Sequence, residues 1–413
     1  MRATGNTPIV AGIAALWAAY FVLGTTVSRV LDRIAGDVVA TKTRGLIPDA
    51  ERFFHTSLRE TALIATAILI AVVVLRLASA AMKRCEFTAP GRYLALAVSC
   101  FVCLNGLFAV AGTTTIFWVS GYLAYPNYKQ AFFNTNKALL ENSLAMTKVV
   151  IAGSSQGHSQ FDAGLLNRSY YPDVQFANLS YAGSSAWDLR LTLGQYANLQ
   201  PDYVVTYISI MNLYDTNPGG SRIIPLITWS TWPDVLEYRR DGYIEREDVF
   251  HAALSLAFPA FKLRRSLDLS IFGPLAEKGF ARPRMAAPQP VVRRPGASRY
   301  ADRYELGEGS RYQRAAFKAF LERNIAAQVQ PVVVVGQVNP ALERAVDPAI
   351  MADFRRFVIE LQRDYESSVT FVEREELQHG IADYDDYMHI SNDERRRFTQ
   401  QFADLMDGVF RPR

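Results

Sequence analysis

The sequence predicts an α/β protein, a three-layer sandwich with a mostly parallel sheet, preceded by three transmembrane helices. Two observations predict it. Long apolar runs are confined to the first third of the 413 residues, and from about residue 147 onward short apolar strands alternate with helical patterns.

The membrane part comes first. Runs from about Thr7 to Val27, Thr61 to Met82 and Tyr93 to Val119 are each long and apolar enough to cross a bilayer, which needs roughly 20 helical residues. Trp17, Trp118 and Tyr122 suit spans and their interfaces, and Arg76 can snorkel from the end of the second span. The link between the second and third spans carries Lys83, Arg84 and Arg92 against Glu86 alone, which places it in the cytoplasm. The N-terminus is then inside, and everything after the third span is outside, in a bacterial inner membrane. Arg29, Arg33, Lys42, Arg44, Arg52 and Arg59 in the outer loop weigh against this orientation. A cleaved signal peptide is the alternative for the first span, but its apolar core is long and no A-x-A site follows. The membrane anchor is therefore expected over residues 1–124 and the soluble domain over 125–413.

Composition narrows the function. A formal net charge of +4 is mild for this length and does not suggest nucleic-acid binding. The three cysteines, Cys85, Cys100 and Cys103, all precede residue 104, so the soluble part needs no disulfide. Cys100 and Cys103 have a redox-like spacing but lie mid-way along an apolar helix, where packing is the simpler role.

In the soluble part, strands are expected at Lys148 to Ala152, Val174 to Leu179, Tyr203 to Ile210, Pro331 to Val335 and Val369 to Val372. Helical patterns stand out at Ala186 to Leu199, Tyr312 to Gln328, Ile350 to Glu366 and Asn392 to Met406. From about Asn217 to Arg311 there is no clean βα unit, and Pro and Arg are dense. The stretch from Lys262 to Arg299 holds nine Lys and Arg against Asp268 and Glu277. It reads as a solvated insertion or, functionally, as a surface for an acidic polymer or anionic headgroups.

In a parallel sheet, ligands gather at the carboxyl ends of strands. Ser155 stands there, after Gly153-Ser154 at the end of the first strand. A serine hydroxyl needs a base to take its proton, and the base works best when a carboxylate orients it. Asp386-Tyr387-Met388-His389 offers that pair just before the last helix, with Asp383 and Asp385 as weaker alternatives to Asp386. His158 is close in sequence but is expected to point elsewhere. No His/Cys/Asp cluster has metal-ligand spacing, and no cofactor is implied.

The order Gly153-Ser154-Ser155, Gly183, Asn212, then Asp386 and His389 resembles the SGNH (GDSL-like) hydrolase superfamily, over most of residues 147–407. The resemblance implies a flavodoxin-like α/β fold, with Ser155 as nucleophile, His389 as base and Asp386 as its partner. The oxyanion hole would come from the N–H groups of Ser155 and Gly183 and the Asn212 side chain. Two features depart from the family pattern. Gly-Ser-Ser replaces Gly-Asp-Ser, as in a branch that looks like envelope acyl-transfer proteins such as the teichoic-acid D-alanylation protein. The third block, Ile210-Met211-Asn212-Leu213, lacks its usual Gly and adjacent Asp, and Gly183 has a plain turn as its alternative reading. By resemblance, the function is O-acyl transfer to an envelope glycan or exopolysaccharide, with a membrane-bound O-acyltransferase as partner. Removal of acyl groups by an esterase is the alternative. A non-catalytic part in a polysaccharide acylation or export complex is a third reading.

Overall fold

The computed structural model describes residues 145–214, 227–258, 261, 297–377 and 379–410, with isolated positions between 76 and 143. The chain divides into two compact units, Met1–Gly112 and Thr113–Arg413. The three expected spans lie outside the described residues apart from Arg76 and Ala80. Among the described residues, no helix is long and apolar enough to cross a membrane. The cysteines and the basic residues from Lys262 to Arg294 also lie outside them.

Within the second unit, strands β1 (Thr147–Ala152), β2 (Val174–Asn178), β3 (Tyr203–Ile208), β4 (Gln330–Val335) and β5 (Thr370–Val372) form one sheet. The order is β2-β1-β3-β4-β5, and every pairing is parallel. The α/β class and the parallel sheet expected from the alternating pattern are thus present. Alternate residues of each strand feed two separate cores, because successive side chains point to opposite faces. Val150, Ala152, Val204, Ile208, Val333 and Val335 face one core. Val149, Ile151, Val205, Tyr207, Val332 and Val334 face the other. Each fully buried Val or Ile is worth roughly 1.5–3 kcal/mol of apolar transfer, so the central strands hold the layers together.

The helices follow from caps and periodicity. Besides two short ones at Ala163–Leu165 and Ala297–Ala301, those among the described residues are α1 (Ser155–Gln160), α2 (Ala186–Tyr196), α3 (Ile210–Tyr214), α4 (Trp232–Arg240), α5 (Arg246–Ala257), α6 (Glu308–Ala326), α7 (Pro340–Ala345), α8 (Pro348–Tyr365) and α9 (Asn392–Leu405). Helix α8 starts at Pro348, behind an Asp347 cap that accepts from Ala349 N–H, and buries Ile350, Met351, Phe354, Phe357, Val358 and Leu361 along one stripe. With α2 and α6 it covers the first core. Helix α9 brings Phe398 and Phe402 onto Phe161 in the second core, so helices lie on both faces of the sheet.

Several element bounds shift by one to four residues from expectation, α6 for example starting at Glu308 rather than Tyr312, and two departures stand out. The third strand ends at Ile208, and Ile210 opens α3, since Ser209 turns the chain by accepting Met211 N–H at its hydroxyl. Within 217–311, α4 and α5 form where no clean unit was expected. Helix α4 is tied to the body by ions: Arg190 of α2 meets Asp234 and Glu237, and Arg323 of α6 also meets Asp234, which is only 1% exposed.

Candidate active site

The candidate residues all fall at the carboxyl edge of the sheet. Ser155 is the first residue of α1, directly after β1; Ser154 caps the helix by accepting Gln156 N–H at 3.3 Å. Its own N–H, at the first helical position, has no intrahelical acceptor. The chain leaving β2 continues beside β1: Leu179 N–H bonds to Ile151 O and Tyr181 N–H to Gly153 O. That brings the turn holding Gly183 toward the start of α1. Gly183 has φ of 90°, a conformation that favours glycine, and the turn is closed by Ser184 N–H on Tyr181 O rather than by the N–H of Gly183.

Asn212 sits in α3, just past β3, 1% exposed. Its Oδ1 accepts from Ser209 N–H at 2.9 Å, which turns Nδ2 the other way; Nδ2 is buried and without a hydrogen-bond partner among the described residues. An unsatisfied buried donor costs about 1–3 kcal/mol, so it marks a place where a ligand oxygen would be welcome.

Asp386 and His389 meet through local geometry. Asp386 Oδ1 accepts the N–H groups of Met388 (2.7 Å) and His389 (2.8 Å), and Oδ2 lies 2.8 Å from His389 Nδ1. A short acidic side chain that bonds the backbone two and three residues on makes a tight turn, and that turn delivers the ring. Burial alone would raise the Asp386 carboxyl. The His389 ring and the two N–H groups outweigh it and hold the group down at about 2. Ionised at neutral pH, Asp386 can only accept, so Nδ1 carries the ring proton. His389 Nε2 is then the acceptor, and it too is buried without a partner among the described residues.

The loop bearing this pair is docked on the strand ends. Asn339, after β4, donates its N–H to Tyr387 O (3.0 Å) and its side-chain amide to Asp386 O (3.3 Å). Gly336 permits the approach: a Cβ there would sit 1.9 Å from the Tyr207 ring, whose hydroxyl donates to Gln337 O and accepts from Gln337 N–H. Gln156, next to Ser155, donates to Met388 O at 3.2 Å. The serine's helix and the histidine's loop, separated by more than 200 residues, are therefore neighbours.

Other residues gather here that spacing does not reveal. Gln156, Ser209, Gln337 and Asn339 are buried polar groups whose partners are distant in sequence. Burial, then the charges of Arg395 and His389, hold the His158 ring down at about 4. Asp383 is engaged elsewhere, accepting from Gly380 N–H and Arg397, and the backbone N–H of Asp385 bonds to His389 O, while the carboxylate on the ring is that of Asp386. His379, Asp383 and Glu394 bring ligand atoms within 4.8 Å of one another, a grouping with no metal spacing in the sequence. Arg397 already bridges both carboxylates, so the cluster clasps the base of the loop.

Searches against known proteins identify no family: no family model matches the chain, and no curated protein matches it.

Proposed function

We propose that this chain is a serine acyl-ester enzyme of the SGNH superfamily, with Ser155, His389 and Asp386 as its triad. More particularly, we propose an envelope enzyme, anchored by the three spans read from the sequence, whose catalytic domain faces outward. There it transfers O-acyl groups, acetyl above all, to an envelope glycan or exopolysaccharide, with acyl groups supplied by a membrane-bound O-acyltransferase partner.

The observation that carries the chemistry is the state of His389. Its Nδ1 is fixed by an ionised carboxylate while Nε2 is buried and open, on a loop hydrogen-bonded to the residue after Ser155. In the mechanism, Nε2 takes the Ser155 hydroxyl proton as Oγ attacks the ester carbonyl. The Asn212 amide, with the N–H groups of Ser155 and Gly183, holds the oxyanion. The leaving alkoxide takes the proton back from the imidazolium, which Asp386 stabilises. An acceptor hydroxyl then loses its proton to Nε2 and attacks the acyl-serine, and Ser155 Oγ leaves by taking that proton from the imidazolium.

The full-length chain, purified in detergent, should cleave p-nitrophenyl acetate, and Ser155→Ala should lower kcat at least about 1,000-fold. Equal rates in both proteins would remove the catalytic reading. With an oligosaccharide added, acylated sugar detected by mass spectrometry would identify a transferase, and free acetate alone an esterase.

A further inference from the structure

We infer that Gln156 is the positioning residue that couples the two halves of the site, the base loop and the oxyanion donor; this rests on the active-site reading above. Gln156 is fully buried and its amide head joins three elements. Oε1 accepts from Ser209 Oγ at 2.6 Å, while Nε2 donates to Met388 O at 3.2 Å and lies 3.4 Å from Gln337 O. Only this amide orientation satisfies the network, since two carbonyls face one end and a hydroxyl faces the other.

Each contact is one step from a working group. Gln156 follows Ser155 in the helix, and Met388 precedes His389. Ser209 presents its N–H to Asn212 Oδ1 at 2.9 Å and so fixes which end of the amide Nδ2 occupies. Ser209 Oγ also lies 3.3 Å from Asn212 Oδ1, but its single proton goes to the closer Gln156 oxygen. A displacement of the base loop is therefore transmitted to the oxyanion donor through one planar group. Few side chains fit this place. Glutamate in its charged form cannot donate to the carbonyls, lysine cannot accept from Ser209, and asparagine is one carbon shorter.

The test uses the full-length chain with p-nitrophenyl acetate. Gln156→Met keeps the length of the side chain and should lower kcat about 100-fold with KM within about twofold, the signature of misplaced rather than lost binding. Asn212→Ala should cost about 100-fold in the native background but less than about threefold once Gln156 is Met, because the donor is already misaimed. Gln156→Glu should add a new alkaline limb to the pH–rate profile, since only the protonated acid can donate to Met388 O. A residue that merely fills space would produce neither the non-additivity nor the limb.

If Gln156→Met fails to fold, Ser209→Ala cuts the same relay on its Asn212 side and should lose about 10-fold or more, a loss that Asn212→Ala does not deepen. Native-like turnover in a folded Gln156→Met, or an Asn212→Ala effect that multiplies in full, would overturn the coupling while leaving the triad intact. Undiminished activity in Ser155→Ala would instead overturn the site itself.

Discussion

Near the end of the chain, two histidines each direct Nδ1 at a carboxylate: His379 at Glu394 (2.5 Å) and His389 at Asp386 (2.8 Å). Both leave Nε2 buried without a partner among the described residues. Their surroundings differ. The His379 side chain is 0% exposed, its ring tilted against Phe398 and edge-on to Tyr384, and Arg397 neutralises its carboxylate. Burial lowers the His379 pKa, more than Glu394 raises it. His389 and Asp386 keep 27% and 32% of their side chains exposed, on a loop bonded to the serine's helix. A histidine–carboxylate pair is thus no sign of catalysis by itself. The two pairs differ in their exposure and in the helix to which the loop of His389 is bonded.

Substitutions can sharpen this contrast. Asp386→Asn should retain the loop yet lower kcat on the order of 10⁴-fold, because the ring loses the carboxylate that fixes its tautomer; steady-state kinetics read this, and a loss under tenfold would break the comparison. His379→Ala should do the reverse. It should cost about 3 kcal/mol in urea unfolding, from the cavity and the lost bond to Glu394, while turnover well below the melting temperature stays within a few-fold of native. A collapse of kcat in a folded His379→Ala would place both pairs in the chemistry.

A smaller effect is written in pH. The depressed pKa of His158 contributes stability that is complete above its unfolded value of about 6.5 and is lost as pH falls toward about 4. The magnitude is up to about 3 kcal/mol. The His379 ring is also held down by burial, so the difference between native protein and His158→Gln isolates the first ring. Asp386 acts lower down. Its contribution is complete above about 3.9 and lost as pH falls through about 2, on the order of 1 kcal/mol after solvent screening. Parallel pH profiles for native protein and His158→Gln would contradict the assignment for His158.

How much of this was legible in the sequence depends on the range of each interaction. The strands were readable because Val149–Ile151, Val204–Val205 and Val332–Val335 are apolar runs bounded by Gly, Pro or polar turns. The Asp386–His389 pair was readable because its contact spans three residues and is made by one turn. Ile210 reads as strand in the sequence because β-branching is compatible with both sides of the boundary, and Ser209 decides it for helix through a hydrogen bond. Gln156 was illegible: its partners lie 53, 181 and 232 residues away. His379 and Glu394 are 15 apart, a separation with no periodic meaning until α9 folds back.

The loop of the acid–base pair is closed on itself, by the Tyr384–Ile390 bridge and by Asp385 N–H on His389 O. The hydrogen bonds that join the acid to the base are therefore made within the seven residues from Tyr384 to Ile390. Loosening of the α/β body would separate that loop from Ser155 before it parted the imidazole from its carboxylate. On the proposed mechanism, turnover would then fall while the local hairpin still held its shape.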